Sequence, residues 1–320
     1  MDNTAMDQQQ KKDEQQQCMI ELMGKLAPAE GHTLCALDGV KFMRSSKSLP
    51  RTQAFYEPSI VVVCQGRKRI FLGGQSFVYD PQQFLVLSVP LPFESETIAS
   101  PEHPLLAVSI RINLAVAAEL ALSLDESQHH VVTAPVGICS TPLDDKLSDA
   151  VLRLLDALTS PTDTHILGPA IMREIYFRVL TGVQGPAIRA ALTHHSHFGK
   201  ISKALRRIHA DYAGGLDVDT LATEAGMSVA AFHANFKDVT TTSPMQYLKT
   251  TRLHKARLLM IQDGLSAATA AGRVGYESTS QFSREFKRFF GRTPVEEATQ
   301  MKSLLIEIPV EKNSRYVTVQ

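Results

Sequence analysis

Two groups of side chains carry the chemistry of this chain: Ser228, Ala230, His233, Ala234 and Lys237, and, farther along, Ser278, Thr279, Ser280, Ser283, Arg284, Lys287 and Arg288. Hydroxyls, an imidazole, ammonium groups and guanidinium groups on one helical face suit the phosphates and base edges of a DNA groove. The two groups lie in a repeated phrase. Leu221-Ala222, Gly226, Ser228, Phe232, Phe236, Lys237 and Pro244 return as Ala270-Ala271, Gly275, Ser278, Phe282, Phe286, Lys287 and Pro294. From Phe232 to Phe282 and from Pro244 to Pro294 the step is 50 residues, with one extra residue between Gly275 and Phe282.

Each copy has the signals of a helix, a turn and a second helix. Asp217 or Asp219 caps the first helix, Gly226 supplies a left-handed turn, and Ser228 caps the second. Phe232, Phe236 and Val239 fall at i, i+4 and i+7 and face inward, which leaves Ala230, His233, Ala234 and Lys237 on the opposite face. In the second copy Ser266 caps, Gly275 turns, and Phe282, Phe286 and Phe289 pack, so Thr279, Ser280, Ser283, Arg284, Lys287 and Arg288 are left for DNA. Between the copies Ser243 and Pro244 open a helix to about Gln262. At 1.5 Å per residue it is roughly 28 Å long. Successive major-groove faces lie about 34 Å apart, so one spacer helix can set both recognition helices, about 229–239 and 279–290, on one side of a duplex.

The chain has 320 residues, 44% hydrophobic and 21% charged, enough for two domains. Its net charge is zero, yet Lys200 to Gln300 holds fourteen Lys and Arg against ten Asp and Glu, a basic half that suits a polyanion. The longest apolar runs, such as Ile60 to Cys64, are strand-sized and too short for a bilayer span. Cys18, Cys35, Cys64 and Cys139 form no C-x-x-C pair and read as reduced cytoplasmic thiols. No metal and no cofactor is implied.

Residues 1–30 read as a disordered amino-terminal tail, because Met1 to Gln17 is rich in Asp, Gln and Lys. From Thr33 to Asn113 short apolar runs alternate with turn residues, including the Gly73-Gly74 hairpin between Arg67–Leu72 and Gln75–Tyr79. A small β-barrel or sandwich closes such a series. Leu114 to Leu124 is one short helical candidate; Leu143 to Leu158 and Ile166 to Leu180 are amphipathic and make an antiparallel pair. Residues 31–182 form one domain, 183–199 a linker, 200–300 the basic helical domain and 301–320 a second tail. The expected fold class is α+β with two domains: a cupin-like β-barrel with dimerisation helices, then an all-α tandem helix-turn-helix domain.

Ile201 to Pro294 resembles the AraC/XylS family of bacterial transcription regulators. The match is most specific at Ala270-Ala-Gly-Arg-Val-Gly-Tyr-Glu-Ser278 and Gln281-Phe-Ser-Arg-Glu-Phe-Lys-Arg-Phe-Phe-Gly291-Arg-Thr-Pro294. Pro58-Ser-Ile-Val-Val-Val-Cys-Gln-Gly-Arg-Lys-Arg69 is similar to the cupin-like amino-terminal domain of one branch of that family. The resemblance implies a small-molecule effector sensed by the first domain, a homodimer formed through helices, and RNA polymerase directed at double-stranded promoter DNA, as an activator. Family members often carry a long polar side chain where Ala230 and Ala234 stand, so specificity is expected from His233 and the second helix.

Three other readings are weaker. Two copies are too few for a helical solenoid. A metal-dependent cupin enzyme needs clustered histidines on strands, whereas only His32 and His103 flank the strand region, in poor positions. His194, His195 and His197 sit in the linker and read as a solvated loop. Cys64 is the candidate effector or redox residue: Lys68 and Arg69 are near enough in sequence to lower its pKa, although a cysteine in a buried strand is more often inert. The chain is therefore expected to be a cytoplasmic, nucleoid-associated regulator and not an enzyme.

Overall fold

The β-branched run Ile60–Cys64 becomes the buried centre of a six-stranded sheet. A computed structural model describes residues 3–81, 83–125, 137–183, 185–192 and 197–306. After helix α1 (Asn3–Leu26) come strands β1 (Gly31–Leu34), β2 (Val40–Ser45), β3 (Leu49–Tyr56), β4 (Ser59–Gln65), β5 (Arg67–Leu72), β6 (Gln75–Tyr79), β7 (Gln83–Leu87), β8 (Leu91–Ile98) and β9 (Leu105–Arg111). Helix α2 (Leu114–Asp125), strand β10 (Ile138–Pro142) and helices α3 (Asp145–Ala157), α4 (Pro161–Ile166) and α5 (Gly168–Thr181) complete the first half. The second half is helical: α6 (Gly185–Leu192), α7 (His197–Ala210), α8 (Val218–Glu224), α9 (Val229–Thr240), α10 (Pro244–Gln262), α11 (Ala267–Arg273), α12 (Thr279–Phe290) and α13 (Pro294–Ile306).

The strands form an antiparallel sheet ordered β1-β2-β9-β4-β7-β10 and a second ordered β3-β8-β5-β6. They face each other as an open sandwich instead of closing into the expected barrel. The chain changes sheets between β4 and β5 through Gly66 alone. Its φ is +81°, and a Cβ there would lie 2.8 Å from the Leu105 Cα, so only glycine makes this corner. Alternation along β4 divides its side chains between two cores: Val61 and Val63 face the sheet interior, while Ile60, Val62 and Cys64 face the helices. The Gly73-Gly74 hairpin forms as expected, with φ of +57° and +80°.

Three expectations about the flanking segments are corrected. Residues 1–30 were expected to be disordered, but α1 occupies Asn3–Leu26 and buries Met19 and Met23 against the outer face of the six-stranded sheet. The apolar positions past Gln17 anchor it, and helix-favouring Gln, Lys and Glu residues carry the helix back toward the start, with Gln10–Glu14 and Gln17–Glu21 hydrogen bonds. The expected linker 183–199 contains α6 and the start of α7; His194 and His195 lie outside the described residues, and His197 is exposed at the head of α7. The expected tail from residue 301 begins as the last turns of α13, and residues 307–320 lie outside the described residues.

The amphipathic pair is α3 and α5. Asp144 caps α3 by accepting from the Leu147 amide at 2.8 Å, and Arg153 bridges to Glu174 of α5 at 2.7 Å. Its stripe of Leu147, Val151, Leu154 and Leu155 is spent within the chain, against the sheet and its neighbours. The large apolar residues left exposed here include Ile166, Leu167 and Phe177, with Leu122 of α2 and Val183.

The reading half does not stand apart from the sandwich. Phe198, Leu205, Phe232, Phe236 and Tyr247 share one continuous core with Phe55, Val89 and Leu91 of the strands. Tyr247 Oη donates to the Pro90 carbonyl at 2.8 Å and lies 2.8 Å from His209 Nε2, so that nitrogen is the donor in the second bond. Burial, helped by Lys255, lowers the His209 pKa from 6.5 to about 4. A folded pKa below the unfolded one means the unfolded chain binds more protons between the two, so this contribution is complete above about pH 6.5 and is lost as pH falls toward 4. Acid titration of the unfolding midpoint is expected to show that loss, and His209→Gln to reduce it, since buried His32 and His254, whose pKa values burial also lowers, contribute the rest. A wild-type profile in the variant would overturn the assignment.

Candidate DNA-binding interface

Each helix-turn-helix is held by the groups its sequence supplies. In the first, Asp217, not Asp219, caps α8 through the Thr220 amide at 2.7 Å, Gly226 turns with φ of +61°, and Ser228 caps α9 through the Ala231 amide at 3.3 Å. In the second, Ser266 caps α11 through Thr269, Gly275 turns with φ of +86°, and Ser278 caps α12 through Gln281 at 3.3 Å. The ring pairs match too: Phe232–Phe236 at 5.5 Å and Phe282–Phe286 at 5.4 Å between centroids. At the C-cap of α9 Thr241 takes a left-handed φ of 62°, fifty residues before Gly291 with φ of 80°.

The two turn glycines differ in surroundings. A Cβ on Gly226 would meet open space, whereas one on Gly275 would lie 2.4 Å from the Ala213 carbonyl oxygen. Gly226→Ala is expected to cost only the left-handed strain, roughly 1–2 kcal/mol, and Gly275→Ala clearly more. Equal shifts in the denaturant midpoint would show that the Ala213 carbonyl does not pack on that turn.

Ser228, Ala230, His233, Ala234 and Lys237 are all exposed, as are Ser278, Thr279, Ser280, Arg284, Lys287 and Arg288; Ser283 is half-buried. Ser228 and Ser278 spend an acceptor lone pair on the caps and keep the hydroxyl proton. The bases of the helical half serve two purposes. Arg252 is internal: its guanidinium donates to the Tyr212 carbonyl at 2.7 Å, to Gly214 at 2.8 Å and to Gly275 at 3.4 Å, which ties the spacer helix α10 to the second turn. Arg257 is buried with Glu297. Arg207 pairs with Asp211 at 3.0 Å and Glu224 at 3.3 Å. Lys237 of α9 and Arg284, Lys287 and Arg288 of α12 are exposed instead, as is Arg273 of α11.

Glu285 was missed by the sequence reading, which counted it only as a charge. It accepts from Tyr276 Oη at 2.8 Å and from Gln281 Nε2 at 3.1 Å, and lies 3.7 Å from Lys249 Nζ of α10. These bonds fix α12 to its own turn and to the spacer. Its spacing of four from Gln281 was the available signal.

Residues 36–187 match the model of the AraC-type transcriptional regulator N-terminus, and residues 221–299 match a helix-turn-helix domain. The chain belongs to the AraC/XylS family. The HTH-type transcriptional activator RhaS of Klebsiella pneumoniae is 26% identical over 145 residues, 45% of this chain and 50% of that protein. The RCS-specific HTH-type transcriptional activator RclR of Escherichia coli is 38% identical over 87 residues, 27% of this chain and 31% of that one. The chain thus spans half or less of the length of these relatives. In fold, this AraC/XylS member is similar to fatty-acid-bound ToxT of Vibrio cholerae, with a TM-score of 0.55, 14% identity, and 84% and 96% of the two chains covered. These family models and relatives describe transcription regulators, not enzymes, and lend the cupin-enzyme alternative no support. Among the described residues no helix is long and apolar enough to cross a membrane.

Cys64 does not fit the redox reading. It is 1% exposed, and burial pushes its pKa up to about 12, the opposite of thiolate activation. Lys68, expected to lower it, turns into the sandwich and donates to Tyr56 Oη, on the other side of the sheet. Iodoacetamide at pH 8 is expected to modify exposed Cys18 and leave Cys64 intact in the folded chain. Rapid labelling of Cys64, mapped by mass spectrometry, would restore it as a sensor candidate.

Proposed function

We propose that this protein binds promoter DNA with α9 and α12 in successive major grooves and regulates transcription, as an activator, in answer to a small molecule perceived by the amino-terminal sandwich. The observation that carries the reading is the pair of equivalent capped helices, each with an aromatic inner face and an exposed donor face, on either end of α10. Ser228, Ala230, His233, Ala234 and Lys237 meet one groove; Ser278, Thr279, Ser280, Ser283, Arg284, Lys287 and Arg288 meet the next. With alanines at 230 and 234, base discrimination falls mainly to α12, since alanine offers only methyl contact to thymine.

The carboxylic-acid ligand bound to ToxT supports a small organic effector for the sandwich, without naming it. Homodimerisation uses the exposed Ile166, Leu167 and Phe177, because the inner stripe of α3 is already covered. RNA polymerase is the partner at the promoter, and the protein acts in the cytoplasm on the nucleoid. The test is genome-wide recovery of fragments bound by purified protein, with salt dependence measured on the best one. One asymmetric site spanning about two helical turns upstream of a gene supports the reading. Weak, sequence-blind binding overturns it.

A further inference from the structure

On the outer face of the six-stranded sheet, away from both recognition helices, α1 and the start of α3 enclose a cavity of about 220 Å³. Its floor is formed by Met19 of α1, Cys64 at the end of β4 and Leu143 ahead of α3, with Gln16 and Ser148 adding polar groups. Its rim is charged, with Lys12 and Asp13 from α1 and Asp145 from α3, and Lys12 Nζ lies 3.5 Å from Asp145 Oδ1. An apolar cavity of ~150 Å³ already holds benzene, so this volume admits a single-ring molecule.

The lid over it is lightly held. The carboxy-terminal half of α1 is anchored by Met19, Met23 and Ala27. The half over the cavity is secured to α3 by the Lys12–Asp145 pair, with both side chains more than half exposed, and by a long 3.5 Å contact between Ser148 Oγ and Gln15. Exposed pairs of this kind contribute little, so the mouth can open without disturbing the core.

We propose that this cavity is a ligand site for a compact apolar amine, its ring on the Met19–Cys64–Leu143 floor and its ammonium at the Asp145 carboxylate. Two carboxylates against one ammonium favour a cation there and oppose an anion. Cys64 takes part as an apolar surface. Because α1 and α3 both line the site, an occupant holds α1 against the domain.

The test is calorimetric titration of the full-length protein with benzylamine, benzyl alcohol and benzoate, in the absence of DNA. Benzylamine is expected to bind about tenfold or more tighter than benzoate. Asp145→Asn, at an exposed position, is expected to erase that preference, and Leu143→Trp, which fills the floor, to abolish binding. Absence of saturable benzylamine binding, equal binding of benzoate, or wild-type binding by both variants would overturn the proposal. None of these outcomes touches the promoter reading, which is measured on DNA alone.

Discussion

Arg284→Ala is expected to weaken binding to the best promoter fragment by about 1–3 kcal/mol, the worth of one bidentate arginine–guanine contact, or roughly fivefold to more than a hundredfold. Arg284 is exposed on the sixth residue of α12, and no ion pair to it is found among the described residues, so its guanidinium is available to the groove. The first unit cannot compensate, because Ala230 and Ala234 occupy its corresponding face. The loss should be specific: affinity for scrambled DNA falls less than affinity for the site. Lys287→Ala makes the useful contrast, since loss of a phosphate contact weakens all sequences alike and lowers the salt slope by about one. Fluorescence anisotropy at several salt concentrations separates the two. Wild-type affinity in Arg284→Ala would mean that α12 is not docked by this face.

Glu297→Leu is expected to destabilise the chain by about 3–5 kcal/mol, because it strands a buried guanidinium. Arg257 is 3% and Glu297 4% exposed, with Arg257 Nη1 3.4 Å from the carboxylate. The same guanidinium donates to the Gln53 carbonyl of β3 at 3.3 Å and stacks 4.6 Å over Phe290. It therefore joins the sandwich, the spacer helix and the second reading unit. Arg292, half exposed and 3.1 Å from Glu297, would lose little. The double variant Arg257→Met/Glu297→Leu should recover much of the stability, since an apolar pair of similar volume is often as stable as a buried ion pair. Calorimetric unfolding of the three proteins decides it. A single variant as stable as the wild type would show that the pair is solvated.

Much of the reading half was legible because its signals are local. Caps at Ser228, Ser266 and Ser278, glycines at 226 and 275, and phenylalanines spaced by four each act within one or two turns of chain. The sensor half was legible in outline for the same reason: the Gly73-Gly74 turn and the buried β4 run are short-range patterns. Its amino-terminal helix was not, since a polar stretch such as Asn3–Gln17 has no stabilising face of its own and is helical only when continuous with a docked Met19–Met23 segment.

By itself, then, the order of residues determined the tandem readers, their outward faces and the spacer that separates them, because backbone hydrogen bonding and helical periodicity depend on near neighbours. Tertiary structure decided which cations are free for DNA and which, like Arg252 and Arg257, are spent inside. It also closed Cys64 off from solvent and fused Phe55 and Val89 into one core with Phe232 and Tyr247. Those outcomes rest on burial, on one ion pair and on hydrogen bonds between residues 23 to 204 positions apart, and desolvation is a property of the assembled neighbourhood that no local pattern carries.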